Sequence, residues 1–134
     1  MMRTAGPRDA APTVLVVEDE VMIQMLLADA LEAAGLDVLE ADNADAAVQA
    51  FASGAEIRVV VTDVRMPGSM DGLGLAGWMR EHAPAVPIII TSGFVSPPEI
   101  AATNPAIARI VPKPYNPSEV ASWVRTIIDG SARL

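Results

Sequence analysis

The side chains able to do chemistry stand at the ends of apolar runs. Glu18-Asp19-Glu20 follow Thr13-Val14-Leu15-Val16-Val17, and Asp63 closes Val59-Val60-Val61-Thr62. Thr91 closes Pro87-Ile88-Ile89-Ile90, and Lys113 comes just after the run Ala106–Val111. Carboxylates held close together repel one another and call for a cation. Oxygen-only ligands suit Mg²⁺, with Asp19 and Asp63 as direct carboxylate ligands. A carboxylate beside such an ion can act as a nucleophile toward a phosphoryl group. In-line phosphoryl transfer needs mostly positioning and charge neutralisation, which the Lys113 ammonium and the Thr91 hydroxyl can add on the phosphoryl oxygens. Asp63 is already ionised at neutral pH and needs no general base. Simpler explanations exist for each group alone. Acids at a helix start complement its dipole, and an aspartate after a strand can cap a turn. Neither explains carboxylates, hydroxyl and ammonium each placed at the end of a different strand.

The elements that must hold these groups alternate. The runs ending at Val17, Asp63 and Thr91 read as strands buried on both faces. Leu36–Glu40 and Ala106–Val111 are two further strands. A helix is predicted over Glu20–Ala34, with Ile23, Leu26, Leu27, Ala30 and Leu31 on its apolar side and Glu20, Gln24, Ala28 and Glu32 on the opposite face; Gly35 ends it. Asp42 and Asn43 offer an N-cap for the next helix, whose buried stripe is Ala44, Ala47, Val48 and Phe51, with Ser53-Gly54 closing it. A third helix over about Gly72–His82 is intrinsically weak, because Gly72, Gly74 and Gly77 each cost about 1 kcal/mol relative to Ala. Pro97-Pro98-Glu99 opens a helix of two turns at most, stopped by Asn104-Pro105. Asn116-Pro117-Ser118-Glu119 has the form of a capping box. The last helix buries Val120, Trp123, Val124, Ile127 and Ile128 and is predicted to end at Gly130. Five strands alternating with helices imply an open parallel sheet covered on both faces. In such a sheet the C-terminal strand ends share one edge, where ligands bind.

Composition narrows the choices. With 134 residues and a formal net charge of −8, the chain is one acidic domain. No Lys/Arg cluster is present, and direct nucleic-acid binding is disfavoured because backbone phosphates would meet a repulsive field. There is no cysteine, which excludes disulfides and thiolate metal sites. No apolar run approaches the roughly 20 residues needed to cross a bilayer, and Met1–Pro12 lacks the apolar centre of a secretory signal. A cytoplasmic protein is expected, with a flexible tail over residues 1–12, a domain over 13–130 and a short tail over 131–134. Lys113 is the only lysine among nine basic residues, as suits a position needing a compact, flexible ammonium.

Taken together, Val-Val-Glu18-Asp19-Glu20, Asp63 in Asp-Val-Arg-Met-Pro-Gly-Ser-Met-Asp-Gly, Thr91-Ser92-Gly93 and Lys113-Pro114-Tyr115 resemble the response-regulator receiver family of two-component signalling. The resemblance covers Thr13 to about Gly130. It implies a flavodoxin-like (βα)5 three-layer sandwich with a parallel five-stranded sheet of order 2-1-3-4-5. It also implies phosphorylation of Asp63 by a phosphohistidine of a histidine kinase or phosphotransfer protein. Mg²⁺ would be held by Asp19, Asp63 and the Arg65 backbone carbonyl, with Glu18 acting through water. Thr91 and Lys113 would bind the phosphoryl group, and Thr91 would displace the Thr91–Ser96 loop and the short fourth helix on phosphorylation. Few contacts are expected to hold that helix. The resemblance also suggests a cis Lys113–Pro114 bond.

Two positions depart from the family. Its aromatic switch residue, three before the lysine, is here Ile110, which can neither swing a ring nor donate a hydroxyl bond. The loop after Asp63 is one residue longer than the commonest spacing, through Gly68-Ser69. Only Ser131–Leu134 follow Gly130, so a stand-alone receiver is expected, signalling to a downstream protein through the fourth helix, fifth strand and fifth helix, with no nucleic-acid or membrane partner. It would not be an enzyme beyond self-phosphorylation and slow autodephosphorylation. One alternative is a receiver-fold interaction module that is never phosphorylated. Another, an aspartate-nucleophile phosphohydrolase, is disfavoured because its second aspartate would fall at Arg65. His82, at the end of the third helix, faces the opposite edge and is given no role.

Overall fold

The computed structural model describes residues 11–93 and 97–132. Five strands, β1 (Thr13–Val17), β2 (Asp37–Ala41), β3 (Ile57–Asp63), β4 (Ile88–Ser92) and β5 (Ile107–Pro112), form one parallel sheet of order β2-β1-β3-β4-β5. They alternate with α1 (Val21–Ala33), α2 (Ala44–Ala52), α3 (Gly72–His82), α4 (Pro97–Ala101) and α5 (Pro117–Ala132). The strand order reverses between β1 and β3, the point at which open α/β sheets place their sites.

Side-chain alternation along the strands divides the interior into two cores. Val14, Val16, Val59, Val61 and Ile89 meet Leu27 and Leu31 of α1 and Val120, Val124 and Ile128 of α5. Leu15, Val17, Val60, Ile88 and Ile90 meet Ala44 and Ala47 of α2, Leu75, Ala76 and Met79 of α3 and Ile100 of α4. The central strands are therefore apolar on both sides, which is why they read as unbroken runs.

Local chemistry sets the helix starts. Asn43 caps α2 by accepting from the Ala46 amide at 2.8 Å, and Asp71 caps α3 by accepting from the Gly74 amide at 2.8 Å. Asn116 accepts from the Ser118 amide at 2.9 Å ahead of α5. Gly72 is needed where α3 begins. Its amide donates to the Val64 carbonyl at 2.7 Å, and a Cβ there would overlap the Asp63 carbonyl oxygen.

Several expectations are corrected. The buried stripe of α1 is Gln24, Leu27, Ala28 and Leu31, so two residues expected on the polar face point inward. Leu26, expected in the core, is exposed together with Val21, Met22 and Met25; Met22 is 71% exposed. This orientation lets the Gln24 amide reach the carbonyl oxygens of Glu18 and Ala41 at the tips of β1 and β2, while Ala28 is small enough to lie against the sheet. α5 does not stop at Gly130 but continues to Ala132. A single glycine lowers helix propensity by about 1 kcal/mol without ending a helix already packed along one side.

The turn after α4 is also better held than the sequence suggests. Ile100 is fully buried, and the buried Asn104 donates to the Ala76 carbonyl of α3 at 3.0 Å and accepts from the Ala106 amide at 2.8 Å. Of the tail expected over residues 1–12, the first ten lie outside the described residues, and the Pro12 carbonyl accepts from the Asp37 amide at 2.9 Å. Residues 94–96 of the expected switch loop and 133–134 of the expected C-terminal tail also lie outside them. Among the described residues no helix is long and apolar enough to cross a membrane.

Candidate functional site

The C-terminal strand ends converge. Asp63 ends β3, is 7% exposed, and pairs in register with Thr91 of β4. Glu18 and Asp19 follow β1, and the Glu18 amide is fixed to the Ala41 carbonyl of β2 at 3.0 Å. Lys113 follows β5, its amide held by the Ser92 carbonyl at 3.0 Å, and the next peptide bond, Lys113–Pro114, is cis. Backbone pairing thus delivers each group to the rim. From there the Lys113 ammonium reaches Asp63 Oδ2 at 2.8 Å and lies 3.7 Å from Glu18 Oε1.

Carboxylate oxygens of Glu18, Asp19 and Asp63 all lie within 4.8 Å of one another. This donor set fits Mg²⁺: hard oxygens, two of the three carboxylates buried, and no nitrogen or sulfur ligand among them. A pocket of about 360 Å³ opens over them, lined by Asp19, Asp63, Arg65, Ser92, Gly93 and Lys113, with Glu20 and Val64 completing the wall. Thr91 does not line this pocket. It is buried beside Asp63, in a tight space shared with Glu18 and Tyr115. Ile110 is half-buried and packs against the core on the α2–α3–α4 side.

Crowding of charge shows in the titration of these groups. Burial pushes the Glu18 carboxyl up to about 7; the Glu20 amide and Lys113 oppose this, and the neighbouring Asp63 and Asp19 add to it. Burial works against the charged form of Lys113, but its hydrogen bond and ion pair with Asp63, helped by Glu18 and Glu20, prevail and raise its pKa. Burial, then Glu18 and Asp63, push the Tyr115 phenol up to about 12. The pocket holds more negative charge than Lys113 neutralises, which is the electrostatic condition for a cation site.

Sequence reasoning placed Glu18, Asp19, Asp63, Arg65 and Lys113 at this rim, and the structure brings them together. It missed two residues. Gly72 was read only as a weak helix former, although its missing side chain is what lets α3 start against Asp63. Gln24, expected on the face opposite the apolar stripe, is buried. The available signal was its position one turn after the acidic triplet, where a buried amide can satisfy strand-end carbonyls.

Residues 14–125 match the family described as the response regulator receiver domain. The transcriptional regulatory protein AruR of Pseudomonas aeruginosa is 35% identical over 121 residues, 87% of this chain and 49% of that protein. The aerobic respiration control protein ArcA of Escherichia coli K12 is 30% identical over 123 residues, 92% of this chain and 51% of that protein. The chain thus spans about half the length of these two relatives. Among solved structures, the response regulator TrrA of Thermotoga maritima, in complex with Mg²⁺ and BeF, superposes with a TM-score of 0.75 at 29% identity, covering 87% of this chain and 98% of that one.

Proposed function

The chain belongs to the response-regulator receiver family, and from that premise we propose that Asp63 accepts a phosphoryl group from a phosphohistidine of a histidine kinase or phosphotransfer protein. The observation that carries the reading is the Lys113 ammonium 2.8 Å from Asp63 Oδ2, with carboxylate oxygens of Glu18, Asp19 and Asp63 within 4.8 Å of one another. An Asp63 carboxylate oxygen attacks phosphorus, the phosphorus–nitrogen bond of the donor breaks, and its electron pair stays on the imidazole. Lys113 then turns from Asp63 to a phosphoryl oxygen. Asp19, Asp63 and the Arg65 backbone carbonyl would hold Mg²⁺, with Glu18 acting through water. The ion supplies positive charge against the phosphoryl oxygens.

Thr91 follows as the responding hydroxyl. Buried next to Asp63, it would donate to a phosphoryl oxygen and so pull on the end of β4. The readout face would be α4, β5 and α5, where Arg109 stacks over the Trp123 ring at 4.3 Å. Ile110 lies on the same strand and offers no aromatic rotamer, so the change would pass through backbone position. A downstream protein would read it, without nucleic acid or membrane, in the cytoplasm. The reaction is stoichiometric: the protein is a phosphoacceptor rather than a turnover catalyst.

Mass spectrometry after incubation with acetyl phosphate and Mg²⁺ tests the reading. A single phosphoryl adduct on wild type and none on Asp63→Asn is expected; no adduct, or an equal yield on the variant, overturns it. Ile110 favours a second reading, a receiver-fold interaction module that binds its partner unphosphorylated. Partner capture of equal strength by wild type and Asp63→Asn, with and without acetyl phosphate, would support that instead.

A further inference from the structure

Buried glutamine amides in helices need a reason, and Gln24 has one at the edge of the acidic pocket. Its Nε2 lies 3.1 Å from the Glu18 carbonyl oxygen, 3.4 Å from the Ala41 carbonyl oxygen and 3.2 Å from Asp42 Oδ1. The amide therefore ties the exit of β1 to the exit of β2 from a position on α1. The Ala41 carbonyl also accepts from the Glu18 amide at 3.0 Å, so both ends of residue 18 are held by the same small group of atoms.

We propose that Gln24 is a positioning residue for cation binding, fixing the Glu18–Asp19 peptide so that the Asp19 carboxylate points into the pocket. The inference rests on the reading of that pocket as a Mg²⁺-dependent phosphoacceptor site. A peptide unit is planar and rigid. Holding the Glu18 oxygen thus fixes the orientation of the Asp19 amide nitrogen, one bond from the Asp19 α-carbon. Asp19 itself is exposed. Surrounding packing does little to aim an exposed carboxylate, so its direction depends on the backbone beneath it and on its hydrogen bond with the Glu18 carboxyl. Glu18 differs: its side chain is buried and is aimed by the Glu20 amide at 3.2 Å and by Lys113. Gln24 thus acts on the one carboxylate of the three that the interior does not already constrain.

The test is a Mg²⁺ titration of the full chain, followed by amide chemical shifts, without any phosphodonor. Gln24→Met keeps the length and apolar bulk and removes the donors. Its Mg²⁺ Kd should rise about tenfold, the usual scale for losing a group that orients a metal ligand. On an Asp19→Asn background the same change should raise Kd less than twofold, because the residue through which Gln24 acts is gone. A wild-type Kd in Gln24→Met, or the same tenfold rise on both backgrounds, overturns the proposal. Should the Met variant not fold, Gln24→Asn carries the test with the same expectations, its amide falling one methylene short of the Glu18 oxygen. If wild type itself fails to bind Mg²⁺, the phosphoacceptor reading falls and this inference with it. If wild type binds and the variants match it, only the role of Gln24 is refuted.

Discussion

Glu18 makes the metal-free protein sensitive to pH, and the sign is opposite to that of an ordinary ion-paired acid. Its carboxyl has a side chain only 4% exposed and is raised from 4.5 to about 7. Burial is the main cause, opposed by the Glu20 amide and Lys113. Between those values the native state binds a proton that the unfolded chain has released, so stability falls as pH rises. The cost is absent below 4.5, grows through the interval and is complete above about 7. Its full size is about 3 kcal/mol, of which about 2 kcal/mol develops between roughly pH 5.5 and pH 8. Urea unfolding in EDTA at several pH values, on wild type and Glu18→Gln, isolates this contribution, because the other carboxylates are common to both proteins. The stability of Glu18→Gln relative to wild type should increase by about 2 kcal/mol across that range and level off at the top. A difference independent of pH, or one that shrinks as pH rises, would refute the assignment of the buried proton to Glu18. Mg²⁺ should bind more weakly below about pH 7, since the proton on Glu18 opposes the cation.

Lys113→Ala removes the ammonium at 2.8 Å from Asp63 and should slow phosphoryl uptake from acetyl phosphate by about 100-fold, as loss of one preorganised charge does; initial rates by mass spectrometry measure it. Gly72→Ala forces a Cβ onto the Asp63 carbonyl and should destabilise the fold by about 2–3 kcal/mol in urea unfolding. Asn104→Ala strips the Ala76 carbonyl and the Ala106 amide of their partner and should cost about 2 kcal/mol. Amide exchange in that variant should accelerate first at Ala106 and Ile107, and uniform acceleration would argue against a local pin.

The parts of the fold that periodicity governs were legible. Uninterrupted apolar runs marked the buried strands, and Asn43 and Asn116 marked helix starts that the structure uses as caps. The rim residues were legible for the same reason, since a strand end fixes where its next side chain lies. What periodicity could not report was a polar side chain drawn inward to bond the backbone of another element. Gln24 and Asn104 are both buried, and each bonds one backbone carbonyl on another element of the fold, Ala41 and Ala76 respectively. These two partners lie 17 and 28 residues away along the chain, beyond the reach of a periodicity window. Gly72 was misjudged in the opposite sense: a propensity scale records what glycine loses in a helix and not the space it leaves for a neighbouring strand.

The loop after β3 bears on what can approach Asp63. Gly68 takes a positive φ of 108°, and the Ser69 hydroxyl donates to the Asp45 carboxylate at 3.2 Å, mooring the loop to the first turn of α2. Neither residue lines the pocket, whereas Arg65, Gly93 and Lys113 do. This stretch of the loop is thus held sideways, toward α2 and away from the pocket lining. A phosphodonor entering the pocket would pass the residues that do line it, Arg65, Gly93 and Lys113 among them.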